Sequence, residues 1–163
     1  MIDVDKLTKE TIAKGGILSV LYFDLHGTSG GILQELGAGF VQKLLKEPGV
    51  VYAVGEIDEP LLSEEGKFYS TSVEVKMLTK DFISLLNLCT SHCPYSLEIL
   101  RPNEMRFTVD KLHEILMHAS ATTFEYKKHI IEKMSTKQEL EMYKLNIQQK
   151  IALGKKLSEN KQK

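Results

Sequence analysis

Tryptophan is absent from this chain of 163 residues, and cysteine occurs only twice, arginine twice and proline four times. Two cysteines are too few for a disulfide framework, so a reducing, cytoplasmic setting is expected. Two arginines, Arg101 and Arg106, supply little of the forked readout by which proteins tell bases apart, which argues against nucleic acid as the partner. Neither sign of charge dominates: 21 basic residues face 22 acidic ones, for a net charge of -1. No apolar run approaches the roughly 18 residues that a membrane-spanning helix needs. The opening MIDVDKLTKE lacks the basic start and apolar stretch of a secretory signal, so no membrane partner is expected. GxSxG, P-loop and kinase signatures are all missing, and no motif assigns a reaction.

What is present is ordinary for a globular protein: 42% apolar and 26% charged residues. The charge is unevenly spread. Residues 137–163 hold seven lysines (Lys137, Lys144, Lys150, Lys155, Lys156, Lys161, Lys163) against Glu139, Glu141 and Glu159, while the remainder is acidic. A basic tail on an acidic body can draw two copies together or reach an anionic partner.

Periodicity predicts a short helix capped by Asp3 and stopped by Gly15-Gly16, then a strand over 17–25. After the turn His26–Gly31 comes an amphipathic helix over 32–47, with Ile32, Leu36, Phe40 and Leu44 as its stripe. Strands follow over 50–57 and 68–78, separated by an acidic loop. A helix capped by Thr79 runs to Cys93, with Phe82, Leu85, Leu86, Cys89 and Cys93 on one face, and a short strand covers 96–100. Thr108 caps a long helix, and Ser135 with Gln138 reads as a capping box opening another that Gly154 ends.

The order β-α-β-β-α-β over 17–101 predicts an α+β, ferredoxin-like sandwich: two helices on one face of an antiparallel sheet in order 4-1-3-2. Three regions are expected: an N-terminal helix (1–16), the α+β domain (17–107), and a helical extension with a basic tail (108–163). The extension has no core of its own to fill, so it is expected to cover a sheet face or pack on another subunit.

Strand alternation sorts the candidate site residues. With Leu21, Phe23, Val73 and Val75 toward the helices, Asp24, Glu56, Glu74 and Glu98 share the opposite face beside Lys76. Clustered carboxylates can hold Mg²⁺ or raise one another's pKa, and this carries an alternative reading as a metal-dependent enzyme. The turn His26, Gly27, Thr28, Ser29, Gly30 and Gly31, leading into a helix N-terminus, is a candidate ligand or anion site. Its structural reading is a turn needing positive φ, capped by Ser29. Cys89, His92 and Cys93 are three soft metal ligands, but the cysteines continue an apolar stripe and read as core thiols. His113, His118 and His129 lack the i, i+4 spacing of a zinc helix. Tyr22 and Tyr52 are the stacking residues available to a weak nucleic-acid-binding alternative that works through the tail.

Val20–Leu45 followed by Val50–Ile57 resembles the small-molecule-sensing ferredoxin-like modules called ACT and RAM domains. That resemblance implies an interface ligand near Gly27, Thr28, Ser29 and Gly30. The chain is also similar to small archaeal-type proteins in which a KGG-strand-DLHG opening precedes a GEI-E-P hairpin, here Lys14–Gly16, Asp24–Gly27 and Gly55–Pro60. The combined expectation is a non-catalytic small-ligand-binding or regulatory module that forms a homo-oligomer, with no cofactor.

Overall fold

The computed structural model describes residues 3–160. Two compact units divide the chain after Asp110. The first contains α1 (Val4–Ala13), β1 (Ile17–Gly27), α2 (Gly30–Leu45), β2 (Val50–Ile57), β3 (Leu61–Leu62), β4 (Tyr69–Thr79), α3 (Phe82–His92) and β5 (Ser96–Arg101). Nearly all of α4 (Val109–Met134) and the whole of α5 (Lys137–Asn160) make up the second.

The chain is α+β, with an antiparallel sheet. Its hydrogen-bonded order is β2-β4-β1-β5, and β3 pairs with β4 off that path. The sheet therefore has five strands rather than the expected four. The added strand, Leu61–Leu62, comes from the acidic loop, where two leucines pair with Ser70 and Tyr69.

The core lies between α2, α3 and one sheet face. Ile17, Leu21 and Phe23 of β1 meet Val73, Val75 and Met77 of β4, under Leu44, Leu85 and Leu88. The stripe that α2 buries is Leu33, Gly37 and Leu44, with Phe40 and Val41 packed beside it. Ile32 and Leu36, expected inside, are 54% and 53% exposed. Two glycines explain the rotation. A Cβ on Gly37 would sit 2.8 Å from Ile57 Cδ1, and one on Gly55 would sit 2.4 Å from Val41 Cγ2. Each glycine leaves room for a side chain of the other element, Ile57 over Gly37 and Val41 over Gly55, so the helix turns its glycine toward the sheet.

Several caps differ from expectation. Thr79 closes β4, and Asp81 caps α3 instead, its Oδ1 accepting from Ser84 N at 2.8 Å and Ser84 Oγ at 2.7 Å. The capping box of α5 is Thr136 with Glu139, one residue beyond the expected Ser135. Thr136 Oγ1 and N donate to Glu139 Oε2 at 2.7 and 2.8 Å. The helix runs through Gly154. Cys93 ends α3 with left-handed backbone at φ 48, its N–H donating to Cys89 O. It is exposed, so only Cys89 joins the core cluster as a thiol, and burial pushes that thiol up.

Candidate functional site

β1 is buried on both faces along its first half. Leu18 and Val20 point away from the core helices yet are nearly as buried as Ile17 and Leu21. The cover is α1, which sequence reading left unplaced. Asp3 caps that helix through Lys6 N at 3.1 Å. Its Thr8 hydroxyl donates to Val4 O at 2.7 Å and lies 3.1 Å from the Tyr52 hydroxyl on β2. Helix and strand are thus joined by a hydroxyl pair across the outer sheet face.

Beside that pair opens a groove of about 510 Å³ between α1 and the outer sheet face. Val4, Leu18, Val54 and Leu100 give it apolar walls, while Asp5, Thr8, Tyr52, Lys76 and Arg101 bring polar groups. Lys76 and Arg101 are exposed, and among the described residues neither forms an ion pair. The groove therefore offers two cations, one carboxylate and two hydroxyls around an apolar floor, a donor set suited to an anion with a hydrocarbon body.

The four acids do share the outer face. Glu56 pairs with Glu74, Glu74 with Tyr22, and Tyr22 with Ser96; Asp24 is opposite Ser72 and Glu98 opposite Val20. They are spread over all four long strands, roughly 14 Å from β2 to β5 at about 4.8 Å per strand. Among the described residues no group of three or more His, Cys, Asp or Glu side chains is placed to hold a metal ion. The Mg²⁺ set Asp24, Glu56, Glu74 and Glu98 is not assembled, nor is the Cys89, His92, Cys93 set. Tyr22 feels the acids nonetheless. Burial raises its phenol above the ordinary value, and Glu74, Glu98 and Tyr95 add to the shift. Its ring lies 6.2 Å from that of Tyr95, whose hydroxyl is 3.0 Å from Ser72 Oγ.

The expected turn is shorter than six residues. His26 and Gly27 extend β1, Gly30 and Gly31 open α2, and only Thr28 and Ser29 connect them. None of the three glycines has positive φ, which occurs instead at Gly15, Gly49 and Gly66. Ser29 occupies the N-cap position without a side-chain cap hydrogen bond. His26 lines a shallower groove of about 460 Å³ formed with Leu25, Ile32, Leu36 and Phe40. Lys76 and Arg101 were missed as a pair because they belong to β4 and β5, which are not neighbours in the sheet. Arg101 adjoins a bulge, and no local spacing carries that relationship.

On the second unit, Lys137, Lys144, Lys150, Lys155 and Lys156 of α5 are exposed. Lys161 and Lys163 lie outside the described residues. No helix among those residues is long and apolar enough to cross a membrane.

A family model, described as the MJ0538 family, matches residues 19–151. The chain belongs to the MJ0538 family. The matched span takes in the Asp24–Gly27 and Gly55–Pro60 segments that carry the similarity to archaeal-type proteins. The MJ0538 family match does not bear out the ACT or RAM resemblance. No curated protein and no solved structure matches the chain.

Proposed function

We propose that this member of the MJ0538 family is a non-catalytic small-ligand-binding module that self-associates, and that its ligand is an organic anion seated in the groove beneath α1. The observation that carries this reading is the convergence of Lys76 and Arg101, both without ion pairs among the described residues, on an apolar-floored groove of about 510 Å³. Charge-assisted hydrogen bonds from two cations fix a carboxylate or phosphate, and the Thr8–Tyr52 hydroxyls take a second polar group. The apolar walls receive the body of the ligand. A ligand that prefers one association state shifts the equilibrium by its difference in affinity.

The ferredoxin-like reading of the first unit belongs to the same proposal. With the two-residue β3 set aside, the four long strands lie in chain order as fourth, first, third, second from one edge. Self-association is supported by α4, whose 26 residues include none that is buried. Leu112, Leu116, Tyr126 and Ile130 recur along one exposed side of it.

The test is isothermal titration and thermal melting with inorganic phosphate and with hexanoate as probes. The full chain is expected to bind at least one of them and to melt higher in its presence. Lys76→Gln combined with Arg101→Gln should abolish both effects while leaving the far-UV spectrum unchanged. Binding undiminished by the double substitution, or no binding of either probe, overturns the proposed site.

A further inference from the structure

β5 is an edge of the sheet, hydrogen-bonded to β1 on one side only. Among the described residues its outward backbone groups have no backbone partner. Its side chains are also the least covered of any long strand. Leu97 and Ile99 are 38% and 37% exposed, although their partners across the ladder, Leu21 and Ser19, are fully buried. The apolar sheet face therefore runs out uncovered at this margin. An edge of this kind is a template for another strand. At the opposite margin the apolar face is covered, because α2 packs closely on β2 through Gly37 and Gly55.

The charges on β5 select the occupant. The ladder shifts between Leu18 and Ser19: Leu18 is opposite Arg101 and Ser19 opposite Ile99, which leaves Leu100 as the extra residue of a bulge. The bulge brings Arg101 onto the same outer face as Glu98, which is opposite Val20. Without it, Arg101 would fall on the helix side. Once Leu100 is set aside, Glu98, Ile99 and Arg101 occupy three successive ladder positions, with the two charges outward and the isoleucine on the helix side. Antiparallel pairing of this edge with an identical one then sets Ile99 against Ile99 on the two-fold axis. Glu98 of each copy faces Arg101 of the other, twice.

We infer that β5 pairs with β5 of a second copy of this chain across a two-fold axis, joining the two sheets into one. The interface is self-complementary, as a closed two-fold contact requires, and it forms two opposite-charge cross-strand pairs around an apolar centre. The inference rests on the self-association proposed above and adds to the exposed side of α4 a specific contact at β5.

Sedimentation velocity of the full chain over a wide concentration range tests it. The wild type is expected to dimerise. Glu98→Arg and Arg101→Glu, each alone, turn two attractive pairs into two repulsive ones and should weaken dimerisation by about tenfold or more. The double reversal should restore it. An equimolar mixture of the two single variants should form heterodimers, because one chain then offers only arginine and the other only glutamate at these positions. That mixing experiment separates a charge contact from a folding defect, and circular dichroism of each variant confirms the fold. A dimer indifferent to both reversals overturns the β5 contact while leaving self-association standing, and a monomer at every concentration overturns both. Failure of the mixture to recover heterodimers also overturns the β5 contact.

Discussion

Nε2 of His92 lies 2.9 Å from Oε1 of Glu47, and this hydrogen bond ties the last turn of α3 to the segment following α2. The His92 side chain is almost wholly buried, with its ring edge-on to that of Phe40 at 5.8 Å between centroids. Phe40 in turn packs edge-on against Phe23 of β1 at 4.8 Å. One chain of contacts thus fastens both core helices to the middle of the sheet.

His92→Ala removes both the hydrogen bond and the ring contact, and leaves a gap beside Phe40. The expected loss of stability is about 2–3 kcal/mol, read from urea unfolding midpoints. His92→Gln keeps a polar end within reach of Glu47, and should recover part of it. Equal losses in the two variants would show that the Glu47 contact contributes nothing.

The close approach of α2 to β2 gives a second expectation. Gly55→Ala directs a methyl group into Val41 and should destabilise by about 1–3 kcal/mol through overpacking. Val41→Ala alone should also destabilise, by deleting methyls packed against the core. The pair Val41→Ala with Gly55→Ala should lose less than the two single losses added together, since the space vacated by one change receives the other. Strict additivity in a double-mutant cycle would contradict the geometry.

α5 carries a pH-dependent start. The Thr136 hydroxyl, followed by its backbone N–H, holds the Glu139 carboxyl below the ordinary glutamate range, against a small opposing effect of burial. A carboxyl depressed in the folded state contributes stability above its unfolded value, and that contribution is lost as pH falls through its folded value. The first turn of α5 should therefore fray as pH drops below about 4, the ordinary range of a glutamate, as followed by amide chemical shifts of residues 136–142. In Thr136→Ala the fraying should already be present at neutral pH and change less on acidification. An identical pH profile in the two proteins would refute the capping role.

Much of the first unit was legible in its side-chain pattern, because period-two alternation in 17–25 and 68–78 and period-3.6 stripes in α2 and α3 are local properties. The orientation of α2 was not. Glycine reads as a gap in a hydrophobic stripe, so Ile32 and Leu36 looked like the inner face. The buried stripe instead passes through Gly37, where Ile57 fills the space. The caps slipped by one or two positions, since Thr79 and Asp81, or Ser135 and Thr136, are equally good capping residues and only the backbone decides between them. The acids of the outer face were assigned to the correct side, yet sharing a face is weaker than sharing a site. The groove depended on α1 folding back over the sheet, a contact recorded by Thr8 and Tyr52 across 44 residues of chain. Nothing within either segment announces the other.

The central place of β1 bears on how the protein is made. Its inner partner, β4, pairs Ile17 with Thr79 and Leu21 with Val75. During synthesis the apolar run Ile17–Phe23 therefore leaves the ribosome long before the strand that will cover its flank. For that interval it is an open, sticky ribbon, and α1, translated before it, is on hand to shield it. The short helix that walls the groove in the finished molecule is thus also a guard, made ahead of β1, against aggregation of the nascent chain.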